Sequence, residues 1–329
     1  MKHSRPPPAN SAGAISNELL NPPGTNGVRR RRVRLESRWV PLGFMLPAVI
    51  YLAAMFCYPL YYNVSMSLRH FTVASFLTGV APFVGFSNYT DMFGGRLFNQ
   101  ALVTTAIFTV LSIVGQMTVG MLLALYFWKR FRFNAAMRAL LLAPWLLPLV
   151  VSASVWQWMF AQDYGIINHV LLQLGIVSFR VPWLVDSTYA LAAVIITNIW
   201  IGIPFSMAVF HSGLQSLPKE LLEAAELDGA GPVQRFFRVT LPLLKPLTSI
   251  VFILSVTYTV KVFDLIFVLT GGGPADATQT LAIYSYKLSF RQMDFGHGAA
   301  VGNVLIVISL CFAFFYIRSF KRNLMAEAT

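Results

Sequence analysis

The sequence has few charged residues and few cysteines. Only 12% of its 329 residues are charged, whereas 56% are hydrophobic. That polar fraction is too small to cover the surface of a water-soluble globule of this length. The two cysteines, Cys57 and Cys311, both fall within apolar runs, so they imply neither a disulfide framework nor a metal site. The composition therefore predicts a protein that resides in a lipid bilayer.

The sequence also lacks the common motifs of catalytic and nucleotide-binding sites. It contains no Gly-x-x-x-x-Gly-Lys-Ser/Thr phosphate loop, no His-Glu-x-x-His metal motif and no nucleophile elbow. We therefore expect no catalytic residue, no metal and no cofactor on this chain, and no ATP binding by it. If the function of the chain depends on ATP, another subunit must bind the nucleotide.

Apolar runs long enough to cross the hydrocarbon of a membrane occur six times, which predicts an all-α membrane protein with six transmembrane helices. No soluble domain of any size fits between these runs. The predicted spans are Trp39 to Tyr62, Ala101 to Trp128, Ala139 to Phe160, Thr188 to Phe210, Leu247 to Leu269 and Gly298 to Ile317.

Basic residues are distributed unevenly along the chain, which carries 25 Lys and Arg against 13 Asp and Glu. Of the 25, 19 lie before the first span, in the connections at 129–138 and 211–246, or after the last span. Basic loops stay in the cytoplasm, so we expect both termini and these two connections there. The net charge of +12 then reflects topology, and no nucleic-acid partner is expected. Residues 1–37 are predicted to be a disordered basic cytoplasmic tail, and 38–329 the transmembrane domain.

A polar segment at about 212–245, between the fourth and fifth spans, has the pattern of a helical hairpin. Pro218 presets a first helical turn, and Gly229 suits a helix C-terminus because it tolerates positive φ. Gly231 and Pro232 then provide the cap and first turn of a second helix. We therefore predict a short helix, a tight turn and another short helix.

The spacing of this segment resembles the coupling loop of membrane subunits in ATP-binding-cassette importers. It reads Glu223-Ala224-Ala225, three residues, Gly229, nine residues and then Val239-Thr240-Leu241-Pro242. Other stretches make the chain similar, over about residues 39–320, to carbohydrate-uptake permeases of the maltose, glycerol-phosphate and trehalose type, in particular the larger maltose subunit. These stretches are Phe83 to Tyr89, Tyr164 to Asn168, Val262 to Asp264, Thr270 to Pro274 and Asp294 to Gly296.

The resemblance implies a multisubunit importer in a bacterial or archaeal inner membrane. Two permeases pair, two ATPase subunits bind ATP and Mg, and an external solute-binding protein delivers a di- or oligosaccharide. ATP-driven closure of the ATPases then switches the permeases between inward-facing and outward-facing states. In the alternative interpretation, the glutamates of the hairpin contact no ATPase and form only a solvent-exposed helix face. The resemblance assigns ATPase coupling to Glu223, Ala224, Ala225, Asp228, Gly229, Leu241 and Pro242.

A sugar site should combine small polar side chains with aromatic ones, because a sugar presents hydroxyls and an apolar ring face. Two stripes at helical spacing have this composition and match positions that line the sugar site in the family. The alternative is that these small residues serve only in helix packing. The candidates are Asn198, Gly202 and Phe205 on the fourth span, and Ser255, Tyr258, Thr259 and Val262 on the fifth.

Several alternatives stay open at the level of the sequence. Lys261 and Asp264 could mark a gate or ion path, or pair with each other at i,i+3 spacing. The chain could instead be a standalone secondary carrier or channel, or a scaffold that holds a cytoplasmic partner. Within the importer interpretation, the solute could be a glycerol-phosphate ester instead of a sugar.

Overall fold

The computed structural model describes residues 39–129 and 131–327, and the predicted tail at 1–37 lies outside the described residues. Within this part the regular secondary structure is entirely helical, without strands. The described residues up to Tyr58 and those from Pro59 onward form two separate units. In the first unit, the side chains from Gly43 to Tyr58 are all exposed. The packing described below belongs to the second unit.

The helices are named α1 to α15 in chain order. Two π-helical turns, Phe236–Thr240 and Lys287–Arg291, join neighbouring α-helices. The bounds are α1 Trp39–Ser67, α2 Val73–Thr78, α3 Ser87–Gly94, α4 Arg96–Trp128, α5 Asn134–Leu146, α6 Leu149–Met159, α7 Ile166–Gln173, α8 Ser187–Gln215, α9 Lys219–Leu227, α10 Pro232–Arg235, α11 Leu241–Leu243, α12 Lys245–Thr259, α13 Asp264–Leu269, α14 Leu281–Tyr286 and α15 Phe295–Glu327.

By length and composition, four described helices can each cross a membrane, and the number rises to six if two bent helix pairs each count as one span. The four lie within α1, α4, α8 and α15. The bent pairs are α5 with α6, at 100°, and Pro232–Leu243 with α12, at 72°. The number of predicted apolar runs equals the upper count, but the second bent pair joins α12 to the hairpin, whereas the predicted fifth run joins α12 to α13.

The predicted third span, Ala139 to Phe160, is broken between α5 and α6. Pro148 has no amide hydrogen, and its ring disfavours helical backbone angles at the preceding residue. Leu147 accordingly adopts φ −77° and ψ 140°, which are extended. The continuous helix predicted across this position was therefore wrong, because Pro148 ends the first half and caps the second.

The predicted fifth span, Leu247 to Leu269, is also broken. Helix α12 ends at Thr259, and α13 begins at Asp264. No proline or glycine lies between them, and nothing in the local sequence explains the break. Continuous helix was again the wrong prediction, and Val262 consequently lies outside both helices.

Helices α4 and α8 pack closely through small residues, and we call this contact the α4–α8 seam. A Cβ added at Gly120 of α4 would lie 2.6 Å from Cβ of Ser206 and 3.1 Å from the backbone nitrogen of Met207. Gln116 Nε2 donates a hydrogen bond to the carbonyl oxygen of Asn198 at 3.0 Å. Because small residues let helix backbones approach closely, α4 and α8 form one well-packed pair.

A polar network joins the end of α1 to α3 and α15, near the end of the molecule where α4 begins. Asn303 Nδ2 donates to Ser67 Oγ and to the hydroxyl of Tyr89, each at 2.9 Å. Asn63 Nδ2 donates to Asn303 Oδ1 at 2.7 Å. Buried polar groups are stable only when their hydrogen bonds are made, so this network specifies how these helices meet.

Candidate functional site

The polar segment between α8 and α12 forms the helix–turn–helix hairpin that its sequence predicts. Helix α9 ends at Leu227, and Gly229 has φ +80°, the left-handed conformation that ends many helices. The amide of Ala230 donates to the carbonyl of Ala225 at 3.0 Å and so satisfies a terminal acceptor of α9. Pro232 then occupies the first position of α10, where its missing amide hydrogen costs nothing.

The tip of this hairpin is exposed. Every residue of α9 and α10 is at least partly accessible, and the side chain of Leu227 is 89% exposed. The charged first helix of the hairpin and Leu227 at its end are thus accessible to a partner protein. Of the predicted coupling residues, Glu223, Ala224, Asp228, Gly229 and Pro242 are exposed, and Ala225 is half-buried.

The base of the hairpin, in contrast, is anchored to the helices. Leu241 and Phe236 pack against a core that includes Met121 of α4 and Phe210 of α8. Leu244, at the end of the hairpin, is buried, and a Cβ at Gly213 of α8 would lie 2.8 Å from its Cδ2. A displacement of the exposed tip can therefore be transmitted through this base to α4 and α8. Leu241 thus lies in the anchored base and not at the tip.

Arg138 of α5 forms a further link close to this base, one that the sequence did not reveal. Its guanidinium contacts Nε2 of His211 on α8. Gln215 Nε2, one turn further along α8, lies 3.1 Å from the same imidazole nitrogen. Residues on separate spans have no characteristic spacing, so no sequence signal identifies this pair. The contact joins α5 to the hairpin end of α8.

Two candidates on the fourth span, Asn198 and Gly202, lie within the α4–α8 seam. Asn198 is buried, and its carbonyl accepts the hydrogen bond from Gln116. A Cβ at Gly202 would collide with the side-chain amide of Gln116. Phe205 is half-buried instead, and its ring centroid lies 6.1 Å from that of Trp145 on α5. The stripe therefore spans the seam and its edge.

Candidates on the fifth span point in different directions. Ser255 and Thr259 are buried, whereas the side chain of Tyr258 is 64% exposed. Val262 lies beyond the last residue of α12, and its amide donates to the carbonyl of Thr259 at 3.1 Å, so the predicted single helical stripe was wrong at its end. Lys261 Nζ lies 5.5 Å from the ring centroid of Tyr258. Among the described residues, no ion pair joins Lys261 to Asp264.

Trp145 is a candidate substrate contact that the sequence analysis missed. It lies in the last turn of α5, two residues before the break at Leu147, and its side chain is 55% exposed. The Trp145 and Phe205 rings are inclined by 30°, so they present neighbouring aromatic faces from two different spans. Trp145 lies between Pro144 and Pro148 in the sequence. These prolines could have indicated that this aromatic residue lies beside a break in the helix.

Asp294 caps the start of α15, at the opposite end of the molecule from the hairpin. Its carboxylate accepts a hydrogen bond from the backbone amide of His297 at 3.1 Å, and His297 Nδ1 lies 2.8 Å away. Burial by itself would raise the pKa of Asp294, but the hydrogen bonds and positive charge of His297, with a contribution from His70, hold that pKa below its ordinary value. The ionised carboxylate is thus a stable acceptor.

Comparison with known families identifies the architecture to which this hairpin and these spans belong. The model of binding-protein-dependent transport system inner membrane components matches residues 116–321. The chain belongs to this family. It is therefore a multi-pass inner-membrane component, and its relatives are permease subunits, which are not enzymes by themselves.

Three relatives named as permeases are similar over most of this chain. The sulfoquinovosyl glycerol transport system permease SmoG of Agrobacterium fabrum is 35% identical over 289 residues, which cover 86% of this chain and 92% of the relative. The trehalose/maltose permease MalF of Thermococcus litoralis is 35% identical over 244 residues, covering 74% and 82%. The diacetylchitobiose permease DasB of Streptomyces coelicolor is 32% identical over 302 residues, covering 90% of each.

A solved structure shares the fold. A chain of the bacterial ABC transporter involved in the import of the acidic polysaccharide alginate superimposes with a TM-score of 0.72. The two chains are 22% identical, and the match covers 86% of this chain and 96% of that one. The arrangement of bent and continuous helices described above is therefore the fold of an importer permease.

Proposed function

We propose that the chain is the permease subunit of an importer for a di- or oligosaccharide, coupled through its hairpin to separate ATPase subunits. The observation that carries the proposal is the contrast within the hairpin, which has an exposed tip at Glu223 to Gly229 and an anchored base at Leu241 to Leu244. A partner that moves the tip can act on α4 and α8 through this base. The ATP and Mg would be bound by the ATPase subunits.

A carbohydrate fits the aromatic side chains at the two helix breaks. Trp145 and Phe205 offer neighbouring ring faces near the first break, and Tyr258 offers an exposed ring near the second. Such rings stack on the apolar face of a sugar without requiring a charged ligand. The names of the relatives, which transport sulfoquinovosyl glycerol, trehalose or maltose, and diacetylchitobiose, support the same substrate class.

The distribution of basic residues supports cytoplasmic termini and a cytoplasmic hairpin. In this orientation the hairpin faces the ATPases, and the loops around Asp294 face an external solute-binding protein. A second permease would complete the pathway. A structure related to this fold contains a periplasmic protein that carries an alginate pentasaccharide, in line with such a delivery step.

Alternating access would use the α4–α8 seam as a rigid unit. The seam is tightly packed, whereas the predicted third span bends between α5 and α6 and the predicted fifth span is interrupted between α12 and α13. Irregular backbone at membrane depth is tolerated where it is buried in protein or lines a cavity, so the breaks are suitable places for a substrate path. Movement of the hairpin would then shift the seam relative to the two interrupted spans.

The experiment is sugar uptake by proteoliposomes that contain the chain with its co-purifying subunits. Labelled oligosaccharides and the external binding protein are added outside, and ATP is enclosed. We expect uptake that requires both ATP and the binding protein. Equal uptake without ATP would overturn the proposal in favour of a secondary carrier or channel, and a preparation without any ATPase subunit would exclude the coupling mechanism.

A further inference from the structure

A deep groove lies between α4 and the hairpin, apart from the candidate sugar contacts. Its volume is about 1000 Å³. Apolar side chains form most of its wall, including Met121, Leu122 and Leu125 from α4 and Leu222 and Phe236 from the hairpin. We call this space the hairpin groove. Its apolar wall requires an occupant with a substantial hydrocarbon portion, because water is a poor partner for such a surface.

The length of the groove corresponds to one leaflet of a bilayer. Its lining on α4 extends from Met117 to Trp128. At 1.5 Å per residue, these positions span about 16 Å along the helix axis. The hydrocarbon of one leaflet is about 15 Å thick, half of the whole core. An acyl chain that enters from the hairpin end would therefore be accommodated over most of its length.

Charged side chains surround only the hairpin end of the groove. Lys129 follows the last residue of α4, Lys219 begins α9, and both are exposed lining residues. Arg235 also lines this end, but it forms an ion pair with Glu226. Among the described residues, neither Lys129 nor Lys219 has a carboxylate partner. The carboxylate of Glu223 also lines this end and forms no ion pair with a described residue. The two lysines outnumber it, so this end of the groove keeps a net positive charge for an anion at the depth of the lipid headgroups.

We propose that the hairpin groove binds an anionic phospholipid of the leaflet on the hairpin side. Its acyl chain lies along Met121, Leu122 and Leu125, and its phosphate is held by Lys129 and Lys219. Basic pockets between helices at the cytoplasmic face have the chemistry that recognises such headgroups. The inference rests on the proposed function only for the cytoplasmic orientation of the hairpin. A soluble anion would leave the apolar wall unoccupied.

The test measures lipid retention by the complete complex, the chain with its co-purifying subunits. The complex is reconstituted in nanodiscs of phosphatidylglycerol or phosphatidylcholine, extracted in mild detergent and examined by native mass spectrometry. We expect the intact complex to retain phosphatidylglycerol and not phosphatidylcholine. The double variant Lys129→Gln/Lys219→Gln should bind phosphatidylglycerol about thirtyfold more weakly, since each lysine contributes about fivefold near a membrane surface.

The matched control is Arg238→Gln/Lys245→Gln, which removes two exposed cations of the same segment that do not line the groove. It should retain the lipid like the unchanged complex. A second variant, Leu122→Trp, fills the groove without changing charge and should also reduce retention, because Leu122 is exposed in the groove wall.

Three results would overturn the proposal. The first is equal retention of the two lipids, and the second is unchanged retention in the lysine variant. The third is retention by the isolated chain but not by the complete complex, which would show that another protein fills the groove. The measurement uses neither sugar nor ATP, so failure of the lipid site and failure of the proposed transport function are distinguishable.

Discussion

The hairpin tip and the α4–α8 seam differ in whether the residues that pack against them belong to this chain. In the seam, Ser206 lies so close to Gly120 that no side chain fits there, and Gln116 donates a hydrogen bond to the carbonyl of Asn198. At the tip, Glu223 and Leu227 are exposed and have the chemistry of a surface that a partner covers. This contrast supports the proposal that the chain supplies its own rigid body and that a partner bound at the tip supplies the movement.

The largest effect is expected from a side chain inserted into the seam. Gly120→Leu would force the helices apart, because a Cβ there already approaches Ser206 Cβ to 2.6 Å. We expect destabilisation of about 3 kcal/mol, typical of strong overpacking. A thermal melt with size-exclusion chromatography measures this. Gly94→Leu, where nothing lies within 4 Å of an added Cβ, is the control and should remain folded. Equal stability of both variants would contradict the close packing of the seam.

A charge reversal at the tip should leave the fold intact and abolish coupling. Glu223→Lys changes an exposed side chain, so the melting temperature should shift little. We expect ATP-dependent sugar uptake by proteoliposomes to fall at least tenfold, or about 1.4 kcal/mol. Glu220→Lys, on the same exposed helix, is the matched control and should lose less than half of the uptake. A similar loss in both variants would indicate a general charge effect.

Removal of one ring of the aromatic pair should weaken sugar affinity while coupling persists. Trp145→Ala deletes the ring beside Phe205. We expect the KM for uptake to rise about fivefold, since an aromatic contact contributes about 1 kcal/mol. Trp158→Ala removes another exposed tryptophan and serves as the control. An unchanged KM in the Trp145 variant would place the sugar elsewhere.

The smallest effect is expected at the exposed ion pair of the hairpin. Arg235→Gln removes the partner of Glu226, whose side chain is 70% exposed. Exposed ion pairs contribute about 0.2–1 kcal/mol, so stability should change by no more than that. Chemical denaturation of the purified complex provides the measurement. A loss above about 2 kcal/mol would show that the hairpin is packed more firmly than its exposure indicates.

The sequence predicts the hairpin better than it predicts the spans. Pro218, Gly229 and Pro232 act locally on the backbone, so the ends of α9 and α10 follow from residue type and spacing. Hydropathy reports only how apolar a run is, and it therefore missed the 100° bend at Pro148. Proline is a local signal for that bend. The break between Thr259 and Asp264 has no such signal.

The candidate sugar contacts show a second limit. Helical spacing tells which residues share a face, but it does not tell what that face meets. Asn198 and Phe205 belong to the same predicted stripe, yet the first lies in the seam and the second lies beside Trp145. The neighbour of each residue depends on how distant spans pack. The contact of Arg138 with His211 and the pairing of Trp145 with Phe205 escaped sequence analysis for this reason.

The central claim is that the hairpin tip contacts the ATPase. The most direct measurement is photo-crosslinking in intact cells, with a photoreactive residue at Leu227, at the tip, or at Leu77 of α2, near the end where α4 begins. Both side chains are more than 80% exposed, so both positions are open to reaction. The account predicts that position 227 crosslinks to a nucleotide-binding subunit and position 77 does not. A nucleotide-binding subunit crosslinked at 77 and not at 227 would contradict it.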